Sequence, residues 1–281
     1  MPTNTIKPEV SVVMATYNEP WDIICKSIRS ILDQTFSNLE LIIIDDSTID
    51  ETKRAIDSFS VDSRVIIIRE SERIGFVKSL NKGFLQARGK YIARMDGDDI
   101  SIQNRIELQV SYLNMHPSVS VVGGSMNIID ETDKVISYRK YPTSDLILRC
   151  LSVYRTPLAH PTVMIRQSCI RDGFLYDEAF EKSEDLEYWL RLRKNGYKFA
   201  NMANFLLNYR VWGDLSKKRV RIHWSYNFQA RIKNFSVRDP LFSILSVLVS
   251  SIYTIMPNFI IKAIYDKENK KIIKNNMIAN N

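Results

Sequence analysis

Four short apolar runs near the N-terminus, separated by stretches of helical period, constrain this chain more than any other feature. Residues 10–15, 39–45, 64–69 and 90–95 read as strands, and 21–32, 51–59 and 76–87 read as helices between them. In the last of these, Phe76, Val77, Leu80, Phe84 and Leu85 recur at helical spacing and give one apolar face. Strand–helix alternation predicts a mostly parallel α/β sheet, because parallel strands need a crossover to connect them. The runs Ser11-Val-Val-Met14 and Leu41-Ile-Ile-Ile44 do not alternate in polarity, as expected of strands covered by helices on both faces. With 281 residues, 45% of them hydrophobic and 25% charged, the chain can bury one large core.

Beyond Asp99 the pattern loosens. Residues 104–115 read as a helix, 119–123 as a strand, and 126–138 as a hairpin turning near 131–134. Helices follow at 145–152 and 184–194, with extended segments at 161–165 and 205–211. No internal repeat or Gly/Ser linker interrupts residues 1–214, so they are read as one unit, whose less regular part beyond about residue 100 is where an acceptor-binding region would be built. Residues 215–281 are read as a basic and apolar helical extension.

The formal charge of +7 is concentrated there. Residues 215–238 hold seven basic side chains and no acidic one, and residues 241–261 carry no charge at all. That apolar segment has about the length of a bilayer span, ~20 residues. Six Ser, Thr and Asn residues and Pro257 make it a poor one. It is expected to meet an anionic membrane surface, with a buried helix pair and a true span as the alternatives. No nucleic-acid-binding motif accompanies the basic block, so nucleic acid is not an expected partner. Cys25, Cys150 and Cys169 are odd in number and far apart, which argues against a disulfide framework or a cysteine zinc site. The N-terminus lacks the apolar core of a secretory signal, and a cytoplasmic protein, peripheral at the inner face of the membrane, is expected.

In an open parallel sheet, ligands sit beyond the carboxyl ends of the strands. Thr16-Tyr-Asn-Glu19, Asp45-Asp-Ser47 and Asp96-Gly-Asp-Asp99 all fall at such ends and should converge on one cleft. Neither a GxGxxG turn nor a GxxxxGK[ST] loop follows the first strand, which disfavours dinucleotide oxidoreductases and P-loop enzymes. Asp-x-Asp after an apolar strand supplies hard oxygen ligands for Mg²⁺ or Mn²⁺, and a metal there can neutralise a diphosphate leaving group. Taken alone, the same residues also suit a solvated turn. Ser183 can cap the helix that begins Glu184-Asp185, which places two carboxylates in its first turn; helix-dipole stabilisation alone would also put them there. A helix N-terminus is expected to lower their pKa values.

Together VSVVMATYNEP, LIIIDDSTIDET, RIGFVKSLNKGFLQARGKYIARMDGDD, HPTVMIR, SEDLEYWLRL and YRV, in this order, resemble the family 2 glycosyltransferases of GT-A fold, particularly bacterial enzymes that build surface polysaccharides such as lipopolysaccharide and capsule. The resemblance covers about residues 9–212. It implies an inverting transfer from a nucleotide-diphosphate sugar, with UDP the expected nucleotide, to a saccharide or lipid-linked acceptor. It also implies that Ala15, Thr16, Tyr17 and Glu19 line the nucleotide site, that Asp45 accepts a hydrogen bond from a pyrimidine, and that Asp96 lies near the ribose. Asp98 would ligate the Mn²⁺ or Mg²⁺ ion, and Arg73 and Lys78 would contact the nucleotide. Asp185 is implied as general base, with Glu184 and His160 at the acceptor. Where the family frequently has a histidine after YRV, this chain has Trp212, which leaves the metal shell less defined. A sugar nucleotidyltransferase and a catalytically silent nucleotide-sugar-binding scaffold are the competing expectations.

Overall fold

Alternate residues of the first strand face two different cores. Val10, Val12 and Met14 pack with Ile24, Ile28 and Ile31 on one side of the sheet, while Val13 and Ala15 pack with Leu80, Phe84 and Trp189 on the other. This two-sided burial is what the unbroken apolar runs demand, and the strand is buried along its whole length. A computed structural model describes residues 7–213, 221–261, 263 and 264.

The sheet is built first from β1 (Val10–Thr16), β2 (Leu39–Asp45), β3 (Val65–Arg69) and β4 (Tyr91–Asp96), connected by α1 (Trp21–Leu32), α2 (Asp50–Asp57) and α3 (Phe76–Gln86). Then come β5 (Ile100–Ser101), α4 (Arg105–Met115), β6 (Val119–Ile129), β7 (Val135–Arg139) and α5 (Asp145–Ser152). A 3₁₀ turn at His160–Thr162 leads into β8 (Met164–Arg166), α6 (Gln167–Arg171), α7 (Glu184–Lys194) and β9 (Lys198–Arg210). Two further helices, α8 (Arg221–Lys233) and α9 (Pro240–Ile255), follow.

Among the described residues the sheet has nine strands in the order β3-β2-β1-β4-β8-β6-β9-β5, with β7 paired to β6. The pairs among β1 to β4 are parallel; β8 runs antiparallel to both β4 and β6. Helix α3 sits so close to β1 that a Cβ on Gly83 would lie 2.3 Å from Val13 Cγ1, so only glycine fits there.

The first four strands and three helices match the sequence reading to within a few residues. The second half differs more. The expected strand at 119–123 and the first arm of the hairpin are one strand, β6, which continues through Gly123 and Gly124. Their missing side chains are replaced in space by Asn201 and Leu206, whose atoms lie 2.7 and 2.5 Å from where each Cβ would be. The strand expected at 205–211 begins seven residues earlier, at Lys198, and pairs with β6 in parallel through several register shifts.

The C-terminal helices pack against the main unit. Trp224 of α8 is buried and stacks on Tyr253 of α9 at 4.0 Å, and Asn227 and Asn234 donate to Ser183 Oγ and Glu187 Oε1 of the α7 region. Among the described residues no helix is long and apolar enough to cross a membrane. Helix α9 buries Ser246 and Ser250 and exposes Leu241, Ile244, Leu245, Leu248 and Ile252, which inverts the usual amphipathic arrangement.

Candidate active site

The chain runs outward from β1 to β3 and then returns to β4 on the opposite side of β1, opening a crevice at the carboxyl ends where the order reverses. Strand register brings the predicted residues together there: Thr16 is level with Asp45 and Ala15 with Asp96. Asn18 takes a left-handed backbone conformation (φ 61°), which asparagine tolerates well, and its Oδ1 accepts from the Thr48 and Ile49 backbone N–H groups at 2.8 and 3.0 Å. The third loop is tied in through Asp46, which accepts from the Ile74 and Gly75 backbone N–H groups at 2.8 and 2.7 Å. Arg73 lies 3.8 Å from Asp46 and stacks its guanidinium over the exposed Tyr17 ring at 3.8 Å, so both predicted residues stand together at the crevice rim. Lys78 is exposed on the first turn of α3.

Asp45 differs from expectation. Its side chain is fully buried; Oδ2 accepts from Arg69 Nε at 2.5 Å, and Oδ1 from the Ser47 backbone N–H at 3.0 Å. A carboxylate so engaged fixes the loop that carries Asp46. The pairing arises from β2–β3 register, which sets Asp45 level with Arg69.

At the end of β4, Asp96, Asp98 and Asp99 each place an oxygen within 4.8 Å of the others. Arg94, itself buried in β4, grips Asp96 with both terminal nitrogens. Asp99 Oδ1 accepts from the Arg210 backbone N–H at 2.8 Å, while its Oδ2 is buried with no hydrogen-bond partner. Burial first, and then the Asp96 and Asp98 charges, hold Asp99 well above the usual carboxylate range. Glu19 joins the cluster across Gly97, where a Cβ would come within 3.0 Å of the Glu19 carboxyl carbon. Burial raises Glu19 to about 7 against two hydrogen bonds from the Tyr17 N–H, and the Asp98 and Asp96 charges push it the same way.

Crowded carboxylates with one orphaned buried oxygen are a donor set that a hard divalent cation relieves. Asp96 and Asp98 are the partly exposed members, and Asp99 is buried. Trp212 Nε1 donates to Asp98 Oδ2 at 2.9 Å, so the residue that replaces the frequent histidine touches the expected metal ligand. An indole N–H only donates, and cannot itself ligate.

The second acid pair stands at the start of α7. Ser183 occupies the cap position but does not cap: its backbone is left-handed (φ 60°) and its hydroxyl accepts from Asn227 Nδ2 at 3.0 Å. Asp185 accepts from its neighbour's backbone, Leu186 N–H at 2.7 Å, and from the Thr156 hydroxyl. The expected lowering by the helix dipole is overridden. Desolvation raises Asp185, and burial together with the adjacent Asp185 charge raises Glu184 to about 8. His160 Nδ1 lies 3.8 Å from Glu184 Oε1, and its Nε2 is 2.7 Å from the Tyr176 hydroxyl. Burial and the Arg94 charge hold His160 well below its usual range, so it contacts Glu184 as a neutral ring.

Arg94 links the two clusters, since its charge acts on Asp96 and Asp99 on one side and on Glu184 and Asp185 on the other. Sequence reasoning passed over it, although a lone arginine in the buried run Tyr91–Met95 signals a carboxylate partner. It also passed over Asn18, Tyr176 and Arg210, whose roles depend on contacts distant in sequence.

Residues 11–173 match the model of glycosyl transferase family 2. An uncharacterised glycosyltransferase of Methanocaldococcus jannaschii is 31% identical over 94% of this chain and 95% of its own length. The O-antigen biosynthesis glycosyltransferase WbnJ of Escherichia coli is 32% identical over 82% of this chain and 91% of its own. In fold, the chain is similar to S. aureus TarS residues 1–349 solved with UDP-GlcNAc, at a TM-score of 0.67 and 15% identity over 87% of this chain and 72% of that one. The sheet with its switch point is therefore a GT-A fold, and the chain belongs to glycosyl transferase family 2.

Proposed function

We propose that the protein is an inverting, metal-dependent glycosyltransferase that moves a sugar from a nucleoside-diphosphate donor, a UDP-sugar first among them, to a saccharide or lipid-linked acceptor in building a cell-surface polysaccharide. The observation that carries this reading is the shared cleft. Buried Arg94 bonds Asp96 at the strand end and lies 5.3 Å from the Phe76 ring, which packs edge-on to His160 beside Glu184 at the helix start.

Ala15, Thr16, Tyr17, Arg73 and Lys78 would hold the nucleotide, with Asp96 at the ribose and the Asp45–Arg69 pair behind them. A divalent cation, Mn²⁺ or Mg²⁺, held by Asp98 with Asp96 and Asp99, would supply neutralisation of the charge collecting on the diphosphate. Asp185 removes the proton from the acceptor hydroxyl as that oxygen bonds to the anomeric carbon and the bond to the diphosphate breaks on the opposite face. Burial makes Asp185 a stronger base than a solvated carboxylate, which suits this step. Glu184 and His160 orient the acceptor beside it.

The inverted α9, with leucines outward and basic residues nearby, supports a peripheral position on an anionic membrane surface at the cytoplasmic face. The O-antigen relative and the UDP-GlcNAc complex of the similar fold support the polysaccharide and UDP readings. The test is turnover of UDP-, GDP- and dTDP-sugars with saccharide acceptors, following the released nucleotide and the product's anomeric configuration by NMR. Nucleoside diphosphate and an inverted linkage are expected; release of pyrophosphate, or retention, would sink the reading.

A further inference from the structure

A second, separate site lies where α5, α7, α8 and α9 meet. Arg193, at the far end of α7, comes eight residues after Asp185, about 12 Å along the axis. It lines a cavity of about 40 Å³ together with Arg149, Lys194, Arg231, Ser243 and Ser246. One water needs ~10–15 Å³ by this measure, so the space suits a few waters or one phosphate-sized group.

The charge around it does not balance. Arg149 bonds both Asp145 and Asp239 at 2.8 Å, and Arg193 reaches Asp145 only at 3.5 Å. Arg193 Nη1 is buried and has no hydrogen-bond partner. Arg231 is 2% exposed and donates to the Ser152 carbonyl, the Val153 carbonyl and Asn227 Oδ1, with no carboxylate in ion-pair distance among the described residues. Three guanidinium groups and Lys194 thus share two carboxylates. A buried cation without a counter-charge is costly, and an anion in the cavity would offset it. The chemistry favours phosphate, since guanidinium forks match its oxygens.

Helix α9 has this polar cavity on one side and, on another, an apolar groove lined by Ile232, Phe235, Ile244, Val247 and Leu248. The two share no lining residue, so a phosphate held in the first leaves the second, with Ile232, Phe235, Ile244 and Leu248 exposed, open to the apolar chains of a bilayer. We propose that this cavity binds the phosphate of a membrane lipid headgroup and so fixes the C-terminal helices on the bilayer; the assignment rests on the membrane-surface reading above.

The experiment uses the full chain with phosphatidylcholine vesicles, with and without phosphatidic acid, and with inorganic phosphate as competitor and as a thermal-shift ligand. Phosphatidic acid should tighten vesicle binding about tenfold, millimolar phosphate should reverse that gain, and Arg193→Gln should abolish it while UDP binding shows the variant folded. Vesicle binding that Arg193→Gln and phosphate leave unchanged would overturn the site and leave the membrane reading intact. Failure to bind any vesicle would overturn both. Phosphate stabilisation of the wild type but not of Arg193→Gln, without vesicle binding, would mark a free-phosphate site and overturn the lipid assignment.

Discussion

The two acid clusters of the cleft are built in opposite ways. The set at the end of β4 is clamped by donors: Arg94 on Asp96, the Arg210 N–H on Asp99, and the Trp212 indole on Asp98. The pair at the start of α7 has lighter support from the Thr156 hydroxyl and the Leu186 N–H, with neutral His160 beside Glu184. Carboxylates clamped by charged and backbone donors suit holding a charge in place, and a pair with fewer donors suits taking up a proton. Sequence type alone would not separate them, since both are short runs of Asp and Glu; the scaffold around each assigns the work.

The largest expected effect separates the pair from the clamp. Asp185→Asn should lower turnover by about 10³-fold while leaving nucleotide affinity within about twofold, measured by steady-state kinetics and titration. A comparable fall in nucleotide affinity would mean that Asp185 belongs to the donor site. Next comes the residue both clusters share. Arg94→Met leaves the partly buried Asp96 without its partner, and should cost about 3–5 kcal/mol of stability in denaturant unfolding. Stability within 1 kcal/mol of the wild type, on the order of an ordinary surface change, would deny Arg94 that role.

Trp212→His sharpens the account of the clamp. It removes the donor on Asp98 Oδ2 and adds an imidazole nitrogen, so Mn²⁺ affinity should rise about tenfold, read by calorimetry. The smallest effect concerns the pair's proton. Glu184 holds its proton to about pH 8 in the folded protein against an ordinary value of 4.5, so its contribution to stability falls as pH rises through that window. Glu184→Gln stays neutral, and its melting temperature should exceed the wild type's by roughly 2–6 °C above pH 8 and match it near pH 4.

The parallel half was legible because its constraint is local. Strands buried on both faces must be apolar throughout, as in Leu41–Ile44, and a helix packed on them must show period 3.6, as in Phe76–Leu85. The acidic turn after β4 was legible for the same reason: strand ends of such a sheet point into one crevice. What escaped depends on residues far apart in the chain. Arg69 captures Asp45 through β2–β3 register, and Trp212 meets Asp98 across 114 positions. The raised pKa values at α7 escaped too, because the helix start is visible in sequence and the burial that outweighs it is not. The strand read as ending at Gly123 continues through Gly124, since Asn201 and Leu206 of β9 fill the space beside the two glycines.

The most direct test of this division of labour is calorimetric binding of UDP with and without Mn²⁺ to the wild type, Asp98→Ala and Asp185→Asn. The account predicts Mn²⁺-dependent binding by the wild type, its loss in Asp98→Ala, and its retention in Asp185→Asn. Equal binding by wild type and Asp98→Ala, or loss in Asp185→Asn alone, would contradict it.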